Sequence, residues 1–166
     1  MKLRTNSLLK LATQIAKKSG IEVRVDNEQN VVTFETDDGC IYVPDISIDS
    51  FLEIEKSVFN GASYIAIENI IYNRFKEALN DYDPDAVFVV FCLLHECGHY
   101  AFIGNEDLYS AAAINNYILK NDRLKEEFGV ESTAYHEKYR ELPQEREADE
   151  YALQHLLQVL ECFTSE

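Results

Sequence analysis

His95-Glu96-Cys97-Gly98-His99 places two imidazoles and a carboxylate at the spacing H-E-x-x-H. On an α-helix, residues i and i+4 lie about 40° apart around the axis, so both imidazoles leave one face a turn apart. That spacing suits two adjacent corners of a tetrahedral zinc site, and Glu96 is then placed to polarise a metal-bound water. The chemistry this permits is metal-assisted hydrolysis. The same five residues also arise by chance, so the rest of the chain has to supply a helix and a further ligand.

The helix is well signalled. Ala86–Leu94 is an apolar run, Asp83 can cap its start, and Pro84 suits the first helical position. The helix should extend to about Phe102 and end at Gly104-Asn105. A zinc site with an open catalytic position needs a third protein ligand. Phe102-Ile-Gly-Asn105 offers no histidine, which excludes the H-E-x-x-H-x-x-G-x-x-H arrangement of metzincins. His136, His155 and many acids are left.

Within Glu145-Arg-Glu-Ala-Asp149, near the start of a last helix running through about Phe163, Glu145 and Asp149 again share a face. A glutamate can complete the coordination while an aspartate one turn on accepts the free N–H of a ligating imidazole, His95 in preference to His99. Ala148 and Ala152 beside that face allow two helices to approach closely. The plain alternative is a first turn of acids favoured by the helix dipole. His155, ten residues after Glu145, lies too far along the helix to share the ion. Cys97 points about 160° from the histidines, and Cys92, one turn before His95, reads as a buried structural cysteine.

At 166 residues, with 46% hydrophobic residues, the chain fits one domain with a packed core. Its 15 basic and 30 acidic residues give a net charge of −15. Lys2, Arg4, Lys10, Lys17 and Lys18 crowd into the first twenty residues, so the remainder is more acidic still. Such a body repels phosphate backbones, which argues against direct nucleic-acid binding and favours a basic or flexible protein partner. Cys40, Cys92, Cys97 and Cys162 form no C-x-x-C pair, and Lys10, Thr13 and Gln14 interrupt any signal core. The reading is of reduced thiols in a soluble cytoplasmic protein with no membrane span.

The expected fold is α+β, with a small N-terminal β-sheet packed on a helical region that carries both motif helices. Residues 1–20 read as a basic amphipathic helix (Asn6–Ser19) whose lysines could dock on the acidic body. Residues 21–67 read as strand-rich: a hairpin of Ile21–Val25 with Val31–Thr36, a strand at Cys40–Val43, and another at Ala62–Ile67. Between them, Ile46–Phe59 is ambiguous, with Asp49 or Ser50 as the cap of a short helix. The Ala62–Ile67 strand could be an edge that holds an extended substrate by β-augmentation, or an ordinary sheet strand. Residues 68–166 read as mainly helical, with helices at Glu68–Asn80, Leu108–Leu124 and Glu131–Glu141 before the last.

His95-Glu-Cys-Gly-His99-Tyr100 followed by Glu145-Arg-Glu-Ala-Asp149-Glu-Tyr-Ala152 resembles the gluzincin class of zinc metallopeptidases, and within it most of all the ImmA/IrrE family. The match is specific at these two motifs and is only an order of elements elsewhere. The 45 residues between His99 and Glu145 exceed the family's spacing, so Leu108–Glu141 reads as an insertion. Residues 1–59 match no part of it. The resemblance implies a single zincin-like domain and one Zn2+ ion held by His95, His99 and Glu145. It makes Glu96 the general base and Asp149 the partner of a ligating histidine. It further implies a protein substrate, often a helix-turn-helix repressor. Tyr100, Tyr109, Tyr135, His136, Tyr139 and Tyr151 are candidates for the oxyanion donor, and the sequence selects none of them. A regulatory or interaction module that keeps the metal site without hydrolysing peptides is the alternative.

Overall fold

The computed structural model describes residues 1–165, and the chain is α+β, mainly helical with a small sheet. In order, the elements are β1 (Lys2–Leu3), α1 (Leu8–Lys18), β2 (Val23–Val25), β3 (Thr33–Glu35), β4 (Cys40–Val43), α2 (Ile48–Ser57) and α3 (Ala62–Phe75). They continue with α4 (Pro84–Phe102), α5 (Glu106–Tyr109), α6 (Ala111–Phe128), α7 (Thr133–Arg140), α8 (Pro143–Phe163) and β5 (Thr164–Ser165).

The first helix forms where the sequence places it. Ser7 caps α1 by accepting the Lys10 N–H at 3.2 Å, and Leu8, Leu11, Ala12, Ile15 and Ala16 make its buried stripe. Its lysines do not dock on acids: among the described residues no ion pair involves Lys10, Lys17 or Lys18, and Lys18 lies over the Phe163 ring instead.

The sheet departs from expectation. Its order is β2-β4-β3, so the anticipated hairpin between Ile21–Val25 and Val31–Thr36 does not form. β4 lies between the two, antiparallel to β3 and parallel to β2. Asp38 links all three strands. Its carboxylate accepts the Cys40 N–H, closing the β3–β4 turn, and also accepts from Tyr42 on β4 and Arg24 on β2. These links tie β2 to β4 rather than to its sequence neighbour. β3 is left as a free edge.

Ala62–Ile67, expected as a strand, is the first half of α3, and the strand-rich region ends at Val43 rather than residue 67. Ala62, Ala66, Ile67 and Ile71 are the buried residues of α3, a helical stripe that a six-residue segment was too short to reveal. α3 also ends at Phe75, short of Asn80. Ser47 rather than Asp49 or Ser50 caps α2. The helix expected over Leu108–Leu124 is broken at Ser110, which caps α6.

α4 is the centre of the core. Val87, Phe88, Val89, Val90 and Phe91 are all almost fully buried, and Ala152, Leu156 and Leu160 of α8 pack into the same apolar cluster. Each such side chain larger than alanine contributes about 1.5–3 kcal/mol by leaving water. By length and composition α4 could cross a bilayer, yet 61% of its most apolar window is buried inside the protein, as in a core helix.

Candidate metal centre

Asp83 and Pro84 start α4 as expected: the Asp83 carboxylate accepts the Asp85 N–H at 3.0 Å, and Pro84 needs no hydrogen-bond acceptor there. Twelve residues on, the helix delivers His95 and His99 to the face met by α8. Gly98 sets how closely the two helices approach. A Cβ on Gly98 would lie 2.8 Å from both Cα and O of Ala148 and 3.1 Å from Cβ of Tyr151. Glycine on α4 and alanine on α8 therefore let backbone meet backbone, which brings Glu145 and Asp149 to the histidines.

Nε2 of His95, Nε2 of His99 and a carboxylate oxygen of Glu145 then converge as a buried group that could hold a metal ion. His95 Nε2 lies 3.0 Å from His99 Nε2 and 3.2 Å from Glu145 Oε2, and the third side of the triangle is 3.8 Å. A tetrahedral ion with bonds of about 2.0–2.1 Å has ligand atoms about 3.3–3.4 Å apart, and the three sides bracket that length. The rings are also turned for it. His95 donates Nδ1–H to Asp149 Oδ1 at 2.8 Å, and His99 Nδ1 lies 2.8 Å from the Tyr109 hydroxyl. With both Nδ1 atoms engaged, each Nε2 faces the same point. Two imidazole lone pairs and a carboxylate oxygen facing one another out of water are mutually repulsive unless a cation or proton lies between them.

The electrostatics agree with that geometry. Burial alone would push the His95 imidazole down, but its hydrogen bonds to Asp149 and Glu145 override this and hold it up to about 10. His99 moves the other way, to about 4, through burial and the neighbouring His95 charge. The raised His95 favours a proton on the imidazole edge that faces Glu145, and a cation binding there would displace it. Burial would raise Glu145 and Asp149, yet His95 keeps the first, and Arg140 with His95 the second, below the ordinary carboxylate range. Burial raises Glu96 to about 7, opposed by the His95 charge.

The stretch that read as an insertion covers the site. Tyr117 on α6 and Tyr139 on α7 both donate to Glu145 Oε1 at 2.8 Å, leaving Oε2 for the imidazoles. Burial and the Glu145 charge raise Tyr109, Tyr117 and Tyr139 above the usual phenol range, so all three remain hydroxyls. Arg140 at the end of α7 donates to the same Asp149 oxygen that His95 uses. Tyr117 and Arg140 were not foreseen. No sequence pattern marks Tyr117, on a helix without a single buried residue. Arg140 could have been sought as the cation that a buried Asp149 requires.

The site opens into two cavities. One, of about 390 Å³, is lined by Thr33, Phe34, Tyr109, Ile114 and Tyr117 beside the histidines. The other, of about 280 Å³, runs past Glu55, Phe59, Cys92 and Arg140. Both are walled by Val32, His95, Glu96, Tyr139 and Glu145, so Glu96 stands between them.

Of the other candidates, His136 is spent on the Val130 carbonyl, and His155 pairs with the Tyr151 carbonyl of its own helix. Tyr135 bonds Asn121, Tyr151 reaches Ser19, and Tyr100 packs edge-on against Phe34; none of the three lines either cavity. Cys97 is buried in the core, whereas Cys92 reaches the second cavity. All four cysteines are free thiols. No protein-family model, curated protein or solved structure matches this chain.

Proposed function

We propose that this chain is a cytoplasmic zinc-dependent endopeptidase of the gluzincin type, with a zincin-like site related to that of the ImmA/IrrE family. The observation that carries the reading is the triangle of His95, His99 and Glu145, with Glu96 beside it on the wall between two open cavities. A zinc ion bound there would supply a Lewis acid able to activate water and polarise a carbonyl.

The chain's own residues do the remaining work. Asp149 and Tyr109 fix the imidazole orientations. Glu96 takes the proton from the attacking water and passes it to the departing amide nitrogen, and a carboxyl raised to about 7 suits both transfers near neutrality. The free edge of β3, whose Thr33 and Phe34 line the larger cavity, gives an extended substrate backbone something to pair with. That role, first sought in Ala62–Ile67, belongs to Thr33–Glu35. The net charge of −15 favours a basic substrate, for which a DNA-binding repressor is the model.

A second reading has one observation in its favour. Two of the three site tyrosines, Tyr117 and Tyr139, already donate to Glu145, so neither of those hydroxyl protons waits for an oxyanion. A metal-holding interaction module would need none. Metal analysis of the purified protein, followed by incubation with helix-turn-helix repressors with and without chelator, separates the two. The peptidase reading expects one zinc per chain, chelator-sensitive cleavage, and a Glu96→Gln variant that keeps zinc but loses at least a thousandfold in rate. Cleavage that survived Glu96→Gln would remove Glu96 from the mechanism. Zinc with no cleavage would leave the interaction module.

A further inference from the structure

The second cavity holds a carboxylate that nothing else in the fold uses. Glu55 on α2 is half-buried on its wall, and among the described residues no ion pair reaches it. Burial raises this carboxyl above its ordinary range, with Arg140 opposing. A carboxylate drawn out of water without a partner is costly, and an arriving cation would relieve that cost. Arg140, the only lysine or arginine on this cavity among the described residues, is committed to Asp149 and lies against the Phe91 ring.

The mouth of the cavity supports the same direction. Val31, Val58 and Phe59 are 37%, 37% and 42% exposed there, an apolar rim around a charged interior. Phe59 is held in place by left-handed backbone, φ 52°, with Asn60 at φ 55° behind it. Such a conformation costs a non-glycine residue about 1 kcal/mol or more, so the surrounding structure enforces it. An apolar collar leading to a carboxylate matches a side chain with an aliphatic stem and a cationic head. An acidic side chain would instead meet Glu55, Glu96 and Glu145 together.

We infer that Glu55 selects a long cationic side chain, arginine or lysine, whose stem lies against Val31, Val58 and Phe59. Because the cavity shares His95 and Glu96 with the larger one, the residue so held lies next to the peptide bond presented to Glu96. Naming that ligand a substrate rests on the peptidase reading; the binding preference does not.

The test uses two pools of peptides with randomised flanks, identical except for a central arginine or its neutral isostere citrulline. Binding is measured by competition on the zinc-loaded Glu96→Gln protein. The arginine pool should bind about tenfold more tightly. Adding Glu55→Gln should bring the ratio to about one, and Glu55→Lys should reverse the preference toward a pool with central glutamate. Equal binding of the two pools, no binding of either, or a ratio that survives Glu55→Gln would overturn the inference. Incubating the arginine pool with the zinc-loaded wild-type protein separates the two readings. Bound but uncut peptides keep the inference and sink the peptidase, whereas cutting without arginine preference does the reverse.

Discussion

The α4–α8 pair and the α5–α7 cover reach the same few atoms by opposite means. α4 and α8 are buried along their shared face and meet at a glycine-on-alanine contact with no room for a methyl group. They contribute the three converging donor atoms. The cover includes α6, with no buried residue and with Ile118 and Leu119 about half exposed. It contributes no donor atom, yet its Tyr109, Tyr117, Tyr139 and Arg140 hold the ligands or their partners in place. Coordination is therefore built into the rigid part, while orientation is lent by a cover that is anchored through Leu108, Tyr135 and His136 and buries nothing along α6.

Substitutions can break this comparison. The largest effect should come from Gly98→Val, which drives carbon atoms into the Ala148 backbone. Forced separation of α4 and α8 should cost on the order of 3 kcal/mol or more and abolish stoichiometric zinc, read by thermal melting and metal analysis. A Gly98→Val protein that kept full zinc would mean the helix contact does not set the site. Next, Glu145→Ala should lower zinc affinity by at least a hundredfold while leaving the secondary structure intact by circular dichroism. Replacing both Tyr117 and Tyr139 by Phe should cost less, about tenfold to a hundredfold in zinc affinity, because Oε2 is retained and only its orientation is released. An effect equal to that of Glu145→Ala would erase the distinction between coordinating core and orienting cover.

The proton favoured on His95 gives a pH test. His95 is held at about 10 in the folded chain against 6.5 for an ordinary histidine. Between those values the fold keeps a proton that the unfolded chain has released, so stability falls as pH rises through this window. The metal-free protein should lose about 4 kcal/mol between pH 6.5 and 10, whereas the zinc-loaded protein, from which that proton is gone, should lose little through His95. Denaturant melts at both ends of the window, with and without zinc, measure the difference. The smallest effect should follow Ile118→Ser or Leu119→Ser on the bare face of α6, within about 0.5 kcal/mol and with zinc affinity unchanged.

Much of the rigid part could be read from the chain. Asp83-Pro84 and the apolar run define the start of α4, and residues spaced four apart put His95 with His99 and Glu145 with Asp149. Such features are local, and a helix converts sequence spacing directly into shared faces. The meaning of Gly98 was missed because a glycine inside a helix says nothing until the opposing residue, Ala148, is known. The cover was illegible for a related reason: Tyr117 reaches Glu145 across 28 positions, and no periodicity encodes that contact. Strand pairing failed likewise. Arg24 and Tyr42 converge on Asp38 through side chains, and alternation of apolar residues does not register such links.

The size of the donor triangle also bears on which metal the group could hold. Sides of 3.0, 3.2 and 3.8 Å suit small ions with bonds near 2 Å and leave calcium, which needs six or more oxygens at about 2.3–2.6 Å, without enough ligands or space. Among first-row divalent ions, intrinsic affinity at nitrogen and oxygen donors follows a fixed order in which copper surpasses zinc. Two imidazoles and a carboxylate cannot reverse that order; they can only refuse the tetragonal geometry that copper prefers. Occupancy would then be a matter of supply, and the same polypeptide produced in zinc-poor, copper-rich medium should emerge folded with copper in place of zinc at these donors.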